Sequence, residues 1–429
     1  MKRTVLTSAI LVILLMSAAA CSNFLEDSIE SIVPRTAPPY TLQPAEQVVL
    51  ADIDELREYL HELIVLHDRG TIVQYISIDD EDLEEKASSV AQEILQTNPI
   101  AAYAVESIEI TATQFVAHYE LTIEIEYKRT LEQVQAIGSP ISTQRFMAAQ
   151  LLEILSAYRD EAVFLTNMQL DAEIITGQVE EIYYQNPRRI VMMPFVTTVD
   201  VFPDQNALSV SSDGQSGGKT APDESGNKIY EIRFEYMESS EMLREIGGNL
   251  STSIRQNAAR ADGDTDSEIV LSLVQNLIAS TEYDEGTART IAMHGQQNIA
   301  TTAFGALVRG SAVGEGFAMA FKALCDELRL DCRIALGFYG DIYHAWNIVQ
   351  LYGQYYHIDV AMSAVHGLEA GFLKTDEDFS ELYAWDTERL PRCNGTLTLD
   401  DLIPPEIPPE DPDPNDPNDP NNPENQGNE

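Results

Sequence analysis

The sequence predicts an α+β protein of 429 residues: two small tandem modules that mix helices with alternating strands, then a larger C-terminal domain. Three observations carry that expectation. Helical apolar spacing and period-two alternation follow one another twice, in the same order, between Val49 and Ser240. Further on, a helical apolar run (Phe317, Ala318, Phe321, Leu324, Leu328) precedes two alternating segments joined by Tyr352-Gly353, a hairpin signal. Segments unable to build a core bracket all of this.

Residues 1–20 have the build of an export signal: the basic start Met1-Lys2-Arg3, an apolar run from Val5 to Met16, and a small-residue exit at Ser17 to Ala20. Cys21 follows directly. This resembles the bacterial lipobox, which implies lipidation of Cys21 and anchoring at the outer face of the cell membrane. Ala18-x-Ala20 also suits an ordinary signal peptidase, so secretion is the alternative. Residues 21–48, with Pro34, Pro38, Pro39 and Pro44, read as a tether.

Module one (residues 49–130) is expected to run helix 52–67, strand 71–77, helix 82–96 stopped at Asn98-Pro99, then strands 103–111 and 115–127. Module two (residues 131–240) repeats the order: helix 143–159, strand 162–167, helix 172–184 stopped at Asn186-Pro187, strands 191–201 and 229–236. The Gly-, Ser- and Asp-rich stretch 204–227 is the insertion that makes the second copy longer. Neither module offers a recognisable site, and spacing and docking are their expected roles. Asp262 to Asp266 looks like the start of a calcium loop, but its twelfth position is Leu273 rather than glutamate. Those residues instead suit the start of a helix over 267–280.

The domain at 241–400 carries the chemistry. Ala312-Val313-Gly314-Glu315-Gly316-Phe317-Ala318, then His344-Ala345-Trp346-Asn347, then Tyr355-Tyr356-His357-Ile358-Asp359 occur in order. Thr281 to Asp284 and Thr302 to Leu307 lie upstream, Phe372 to Asp376 and Tyr383 to Asp386 downstream. The series resembles the bacterial transglutaminase-like family, built on a papain-like Cys-His-Asp triad. The resemblance implies that His344 is the base and Asp359 the group that orients it, and that Gly314 stands where the nucleophilic cysteine belongs. Trp346, Asn347 and Glu315 would be neighbouring binding residues. Tyr383 occupies a place that is often histidine.

Acyl transfer from an amide needs a thiolate, and a helix N-terminus beside a histidine lowers a thiol's pKa. Glycine has no side chain to ionise. Cys325 is 11 residues further, roughly 16 Å along the helix at about 1.5 Å per residue, out of reach of His344. The expectation is a transglutaminase-like domain without its nucleophile, binding an extracellular peptide or cell-envelope component. An active enzyme with an atypical site and a purely structural surface protein are the alternatives.

The formal charge of −44 excludes nucleic acid as a partner and any electrostatic hold on anionic lipid. Cys325, Cys332 and Cys393 form no C-x-x-C pair, so no metal and no cofactor is expected. Cys332 and Cys393 could form a disulfide in an oxidising exterior, or all three could be buried thiols. Residues 401–429 carry three Asp-Pro-Asn repeats and no Lys or Arg, an extended acidic tail.

Overall fold

The structure of the protein is a computed structural model that describes residues 48–76, 82–204, 226–294 and 298–403. The export signal, Cys21, the tether, the inserted stretch 205–225 and most of the acidic tail lie outside those residues. The protein is α+β. It divides into two compact units, one holding residues 48–59, 70–76, 82–88 and 109–124 of the described chain, the other the remainder.

The first sheet is built from β1 (Val49–Leu50), β2 (Gly70–Tyr75), β3 (Val105–Gln114) and β4 (Tyr119–Tyr127), in the order β1-β2-β4-β3. The second comprises β5 (Glu161–Thr166), β6 (Val196–Phe202) and β7 (Lys228–Glu235), in the order β5-β7-β6. In both, the first long strand pairs antiparallel with the last one, which also carries the middle strand on its other edge. The repeated order of elements in the sequence thus corresponds to a repeated strand order.

The two Asn-Pro sites are not equivalent. Asn98 caps a new helix, Pro99–Ala104, by accepting from Ala101 N at 2.9 Å, with Pro99 in the first turn where its missing N–H costs nothing. The strand expected from residue 103 therefore begins at Val105, after a buried helical turn. Asn186 instead closes the helix Ala172–Gln185. Residues 191–195 are likewise irregular, and β6 begins at Val196.

Downstream come the helices Ser240–Ala258 and Asp266–Ser280, the latter capped by Thr265 with Glu268 reaching back in a capping box. Short parallel strands β8 (Glu282–Tyr283) and β9 (Ser311–Ala312) lead to the helix Gly314–Leu328. This helix lies on a sheet of β10 (Cys332–Tyr339), β11 (Ile342–Leu351), β12 (Gln354–Ile358) and β13 (Tyr383–Trp385), ordered β12-β11-β10-β13. The β11–β12 turn has positive φ at both Tyr352 and Gly353, so the hairpin closes in two residues.

One continuous apolar core within the larger unit joins Met147, Leu151 and Phe164 to Phe317, Phe321 and Ile358. A smaller core of Trp346, Ile348, Phe379, Tyr383 and Cys393 fills the other face of the last sheet. Cys332 belongs to the first core and Cys393 to the second, so the sheet separates them and a Cys332–Cys393 disulfide is excluded in this fold. Cys325, Cys332 and Cys393 are all buried free thiols. Among the described residues, no helix is long and apolar enough to cross a membrane.

Glu231 of β7 is 2 % exposed and receives two hydrogen bonds from Arg129, both 2.8 Å. The Arg129 guanidinium also lies 5.0 Å from the Tyr103 ring centroid. Removing this cation would leave the desolvated carboxylate, beside Glu161, with a single bond from the half-exposed Arg233, whose Nη2 lies 3.0 Å from Oε2. Arg129→Ala is expected to lower stability by about 3 kcal/mol in urea unfolding. A loss below about 1 kcal/mol would mean that Arg233 and water suffice to hold Glu231.

Candidate functional site

The helix Gly314–Leu328 begins without a side-chain cap, since Val313 cannot supply one. Its first turn is pressed tightly into the fold. A Cβ on Gly316 would stand 2.2 Å from the Ala300 carbonyl oxygen, so only glycine allows this approach. Gly314 faces the His344 ring. A Cβ placed there would lie 2.6 Å from Cε1 and 2.8 Å from Nδ1.

His344 sits near the start of β11, opposite Gly337 of β10. Asp359 follows β12 directly and caps the helix Val360–His366. The tight hairpin brings the two together, with His344 Nε2 2.5 Å from Asp359 Oδ2. The carboxylate is fully used. Oδ1 accepts from Met362 N at 2.9 Å, and Oδ2 also accepts from the Tyr383 hydroxyl at 2.9 Å. Tyr383 thus reaches the same acid.

Burial by itself would keep His344 neutral, but the adjoining Asp359 charge and hydrogen bond outweigh it, and the imidazole pKa is raised. For Asp359 burial opposes ionisation; the His344 charge and the bonds from His344, Met362 and Tyr383 prevail and lower its pKa. The pair is a hydrogen-bonded imidazole–carboxylate contact whose Nδ1 edge is turned toward Gly314.

A cleft of about 520 Å³ opens at this edge. Val313, Gly314, Glu315 and His344 form one side; Phe338, Ile342 and Tyr343 of the β10–β11 hairpin form another. The second module supplies Tyr184 and Met193. A role beyond spacing was not visible for this stretch in the sequence, because the wall consists of ordinary tyrosine and methionine residues far from the Gly314, His344 and Asp359 segments in the chain.

Glu315 lines the cleft, with Oε1 accepting from the Tyr184 hydroxyl at 2.9 Å. Burial pushes its carboxyl up to about 7, helped by Glu180 and opposed by the Tyr184 bond. Trp346 and Asn347, expected as binding residues, are both sealed from solvent. Trp346 lies in the smaller core and donates to His357 Nδ1 at 2.9 Å; Asn347 donates to the Ala318 carbonyl at 3.0 Å and pins β11 to the helix. Neither can touch a ligand in the cleft. Strand alternation around His344 leaves that choice of face open, and the packing decides it.

Sequence reasoning also missed a second His-Asp contact. His357 Nε2 lies 3.0 Å from Asp376 Oδ1, close to Cys393, and the three could be taken for metal ligands. Their hydrogen bonds argue otherwise. The Trp346 N–H can only donate, so His357 Nδ1 accepts and the ring proton sits at Nε2, leaving no lone pair for a cation. The Cys393 thiol is pushed up to about 12 by burial and by Asp376. The group is a buried relay bracing the sheet.

Among solved structures the chain is similar to one described as a TGase, at 11 % identity and TM-score 0.23, covering 73 % of this chain and 58 % of that one. It thus spans less than two thirds of that structure's length. It is also similar to a candidate cysteine protease from Cytophaga hutchinsonii, at 13 % identity and TM-score 0.22, covering 47 % of this chain and 72 % of the other. No family model and no curated protein matches the chain.

Two measurements test the site's physical description. Gly314→Ala should cost about 1–3 kcal/mol, because the new methyl must displace a ring tethered to Asp359; an unchanged urea midpoint would show that His344 moves freely. The second is a titration. Raised in the folded state, His344 contributes stability that is complete below its ordinary value of 6.5 and lost as pH rises through the folded value. Asp359, lowered, contributes stability present above 3.8 and lost as pH falls through its folded value. The contact is therefore strongest between those limits. In Asp359→Asn the His344 ring resonances should titrate below 6.5, since burial remains and the opposing charge is gone.

Proposed function

We propose that the chain is an exported, lipid-anchored, transglutaminase-like protein that binds a peptide or cell-envelope component in the Gly314–His344 cleft without cleaving it. The observation that carries this reading is the contact between His344 and Gly314. The position that would hold a nucleophilic side chain has no side chain, and the imidazole stands 2.6 Å from where a Cβ would be. A catalytic base needs a nucleophile between itself and the substrate. Here the base fills that space itself.

What remains suits recognition. The first N–H groups of the helix have no side-chain cap, and beside them stands His344, whose pKa is raised by Asp359, so a substrate-like carbonyl or carboxylate has donors to meet. Hydrophobic and aromatic walls surround this polar end, as in small-ligand and peptide clefts. Buried Cys325, its thiol raised well above the ordinary value by burial, offers no substitute nucleophile.

The wild-type protein is expected to show no peptide hydrolysis and no amine transfer in assays with glutamine- and amide-bearing peptides. Gly314→Cys should recover a trace at most, because the new thiol has to push His344 off the position that its Asp359 bond defines. Hydrolysis that survives alkylation of every cysteine and disappears in His344→Ala would overturn the reading in favour of water activated by His344. For the anchor, Cys21→Ser should release the exported protein from the membrane fraction; retention would locate the attachment elsewhere. The charge of −44 provides no alternative hold on an anionic surface.

A further inference from the structure

The polar end beside His344 accounts for only part of the cleft. Glu315 is the other acidic feature of its floor, and its surroundings are aromatic. Oε1 is taken by the Tyr184 hydroxyl; Oε2 has no hydrogen-bond partner among the described residues. Tyr343, from the β10–β11 hairpin, forms the facing wall, and its hydroxyl lies 3.4 Å from Glu180 Oε1. Asp341 stands exposed at the mouth. Among the described residues lining the cleft there is no Lys or Arg.

We propose that the cleft takes the guanidinium of a peptide arginine side chain, paired with Glu315 and laid against the rings of Tyr184 and Tyr343. This rests on the peptide-binding reading above and names its ligand. A partly buried carboxylate with one oxygen open favours a cation that sheds water easily and stays charged. Guanidinium does both, and its flat face stacks on tyrosine where an ammonium would hold its hydration shell. Two N–H donors can address Oε2 and the neighbouring phenol oxygens together. A divalent metal is a poor fit, because one carboxylate and two phenols fall short of the roughly six to eight oxygens that calcium takes.

The groups facing Glu315 are Tyr183, Tyr184 and Glu180 on the Ala172–Gln185 helix and Tyr343 on the hairpin. None is cationic. The Glu315 carboxyl, raised to about 7, is close to half protonated at neutral pH, and an arriving guanidinium would drive the proton off. Proton release is therefore built into the recognition step.

The test is titration calorimetry on the full mature chain with capped Ala-Arg-Ala and the same peptide carrying citrulline or lysine. Citrulline keeps the shape and removes the charge. The arginine peptide should bind at least about tenfold more tightly than the citrulline one, with the lysine peptide between them. Glu315→Gln, which can still accept from Tyr184, should bring arginine binding down to the citrulline level. At pH 7, titrations in buffers of different ionisation enthalpy should report release of on the order of half a proton for arginine, and none in Glu315→Gln. Equal binding of the arginine and citrulline peptides would overturn this proposal while leaving a peptide-binding cleft intact. Equal binding of lysine and arginine would overturn the guanidinium assignment. Failure of all three peptides to bind would overturn both this inference and the peptide half of the reading on which it rests.

Discussion

Asp359 sets the terms for this domain. Its carboxylate is buried to 1 % exposure, and a charge so placed is tolerable only when hydrogen bonds and an opposite charge replace the lost water. Three elements meet that demand: the helix that starts at Val360 through the Met362 N–H, β13 through the Tyr383 hydroxyl, and β11 through His344. Because all three must reach the same two oxygens, the carboxylate fixes the direction of the hairpin, the edge strand and the following helix together. The His344 ring consequently has little freedom, and its Nδ1 edge is held against the start of the central helix.

That rigidity explains why Gly314 matters structurally as well as chemically. The helix start is threaded between the Ala300 carbonyl, which excludes a side chain at Gly316, and the imidazole, which occupies the space beside Gly314. A thiol is absent and so is room for one at the present ring position. In the proposed reading, the Asp359 network persists because it holds the sheet together, whatever passes through the cleft.

Much of this was legible in the chain. Two-residue hairpin chemistry at Tyr352-Gly353, the helical run after Gly314 and the order of the His344 and Asp359 segments were enough to place those residues near one another. The local signals erred where side chains had to choose a neighbour. Trp346 and Asn347 flank the same strand as His344, yet alternation cannot say which face meets water, and the two are consumed by His357 and Ala318. Asn98-Pro99 does stop the helix Leu83–Thr97, but the same pair also starts a new one, Pro99–Ala104, which delays the strand expected from residue 103 to Val105. The cleft wall formed by Tyr184 and Met193 depends on a long-range packing arrangement that leaves no local pattern.

The shared core has a thermodynamic consequence. Residues from Ile141 to Leu373 bury their apolar side chains against one another within one compact unit. Elements joined by one core tend to unfold as one cooperative unit, and a ligand that binds only the folded form stabilises the whole unit by RT ln(1 + [L]/Kd). Occupancy of the small cleft would therefore be registered by β5 and β7, far along the chain, as slower amide exchange. The middle module would serve as a reporter of what the cleft holds.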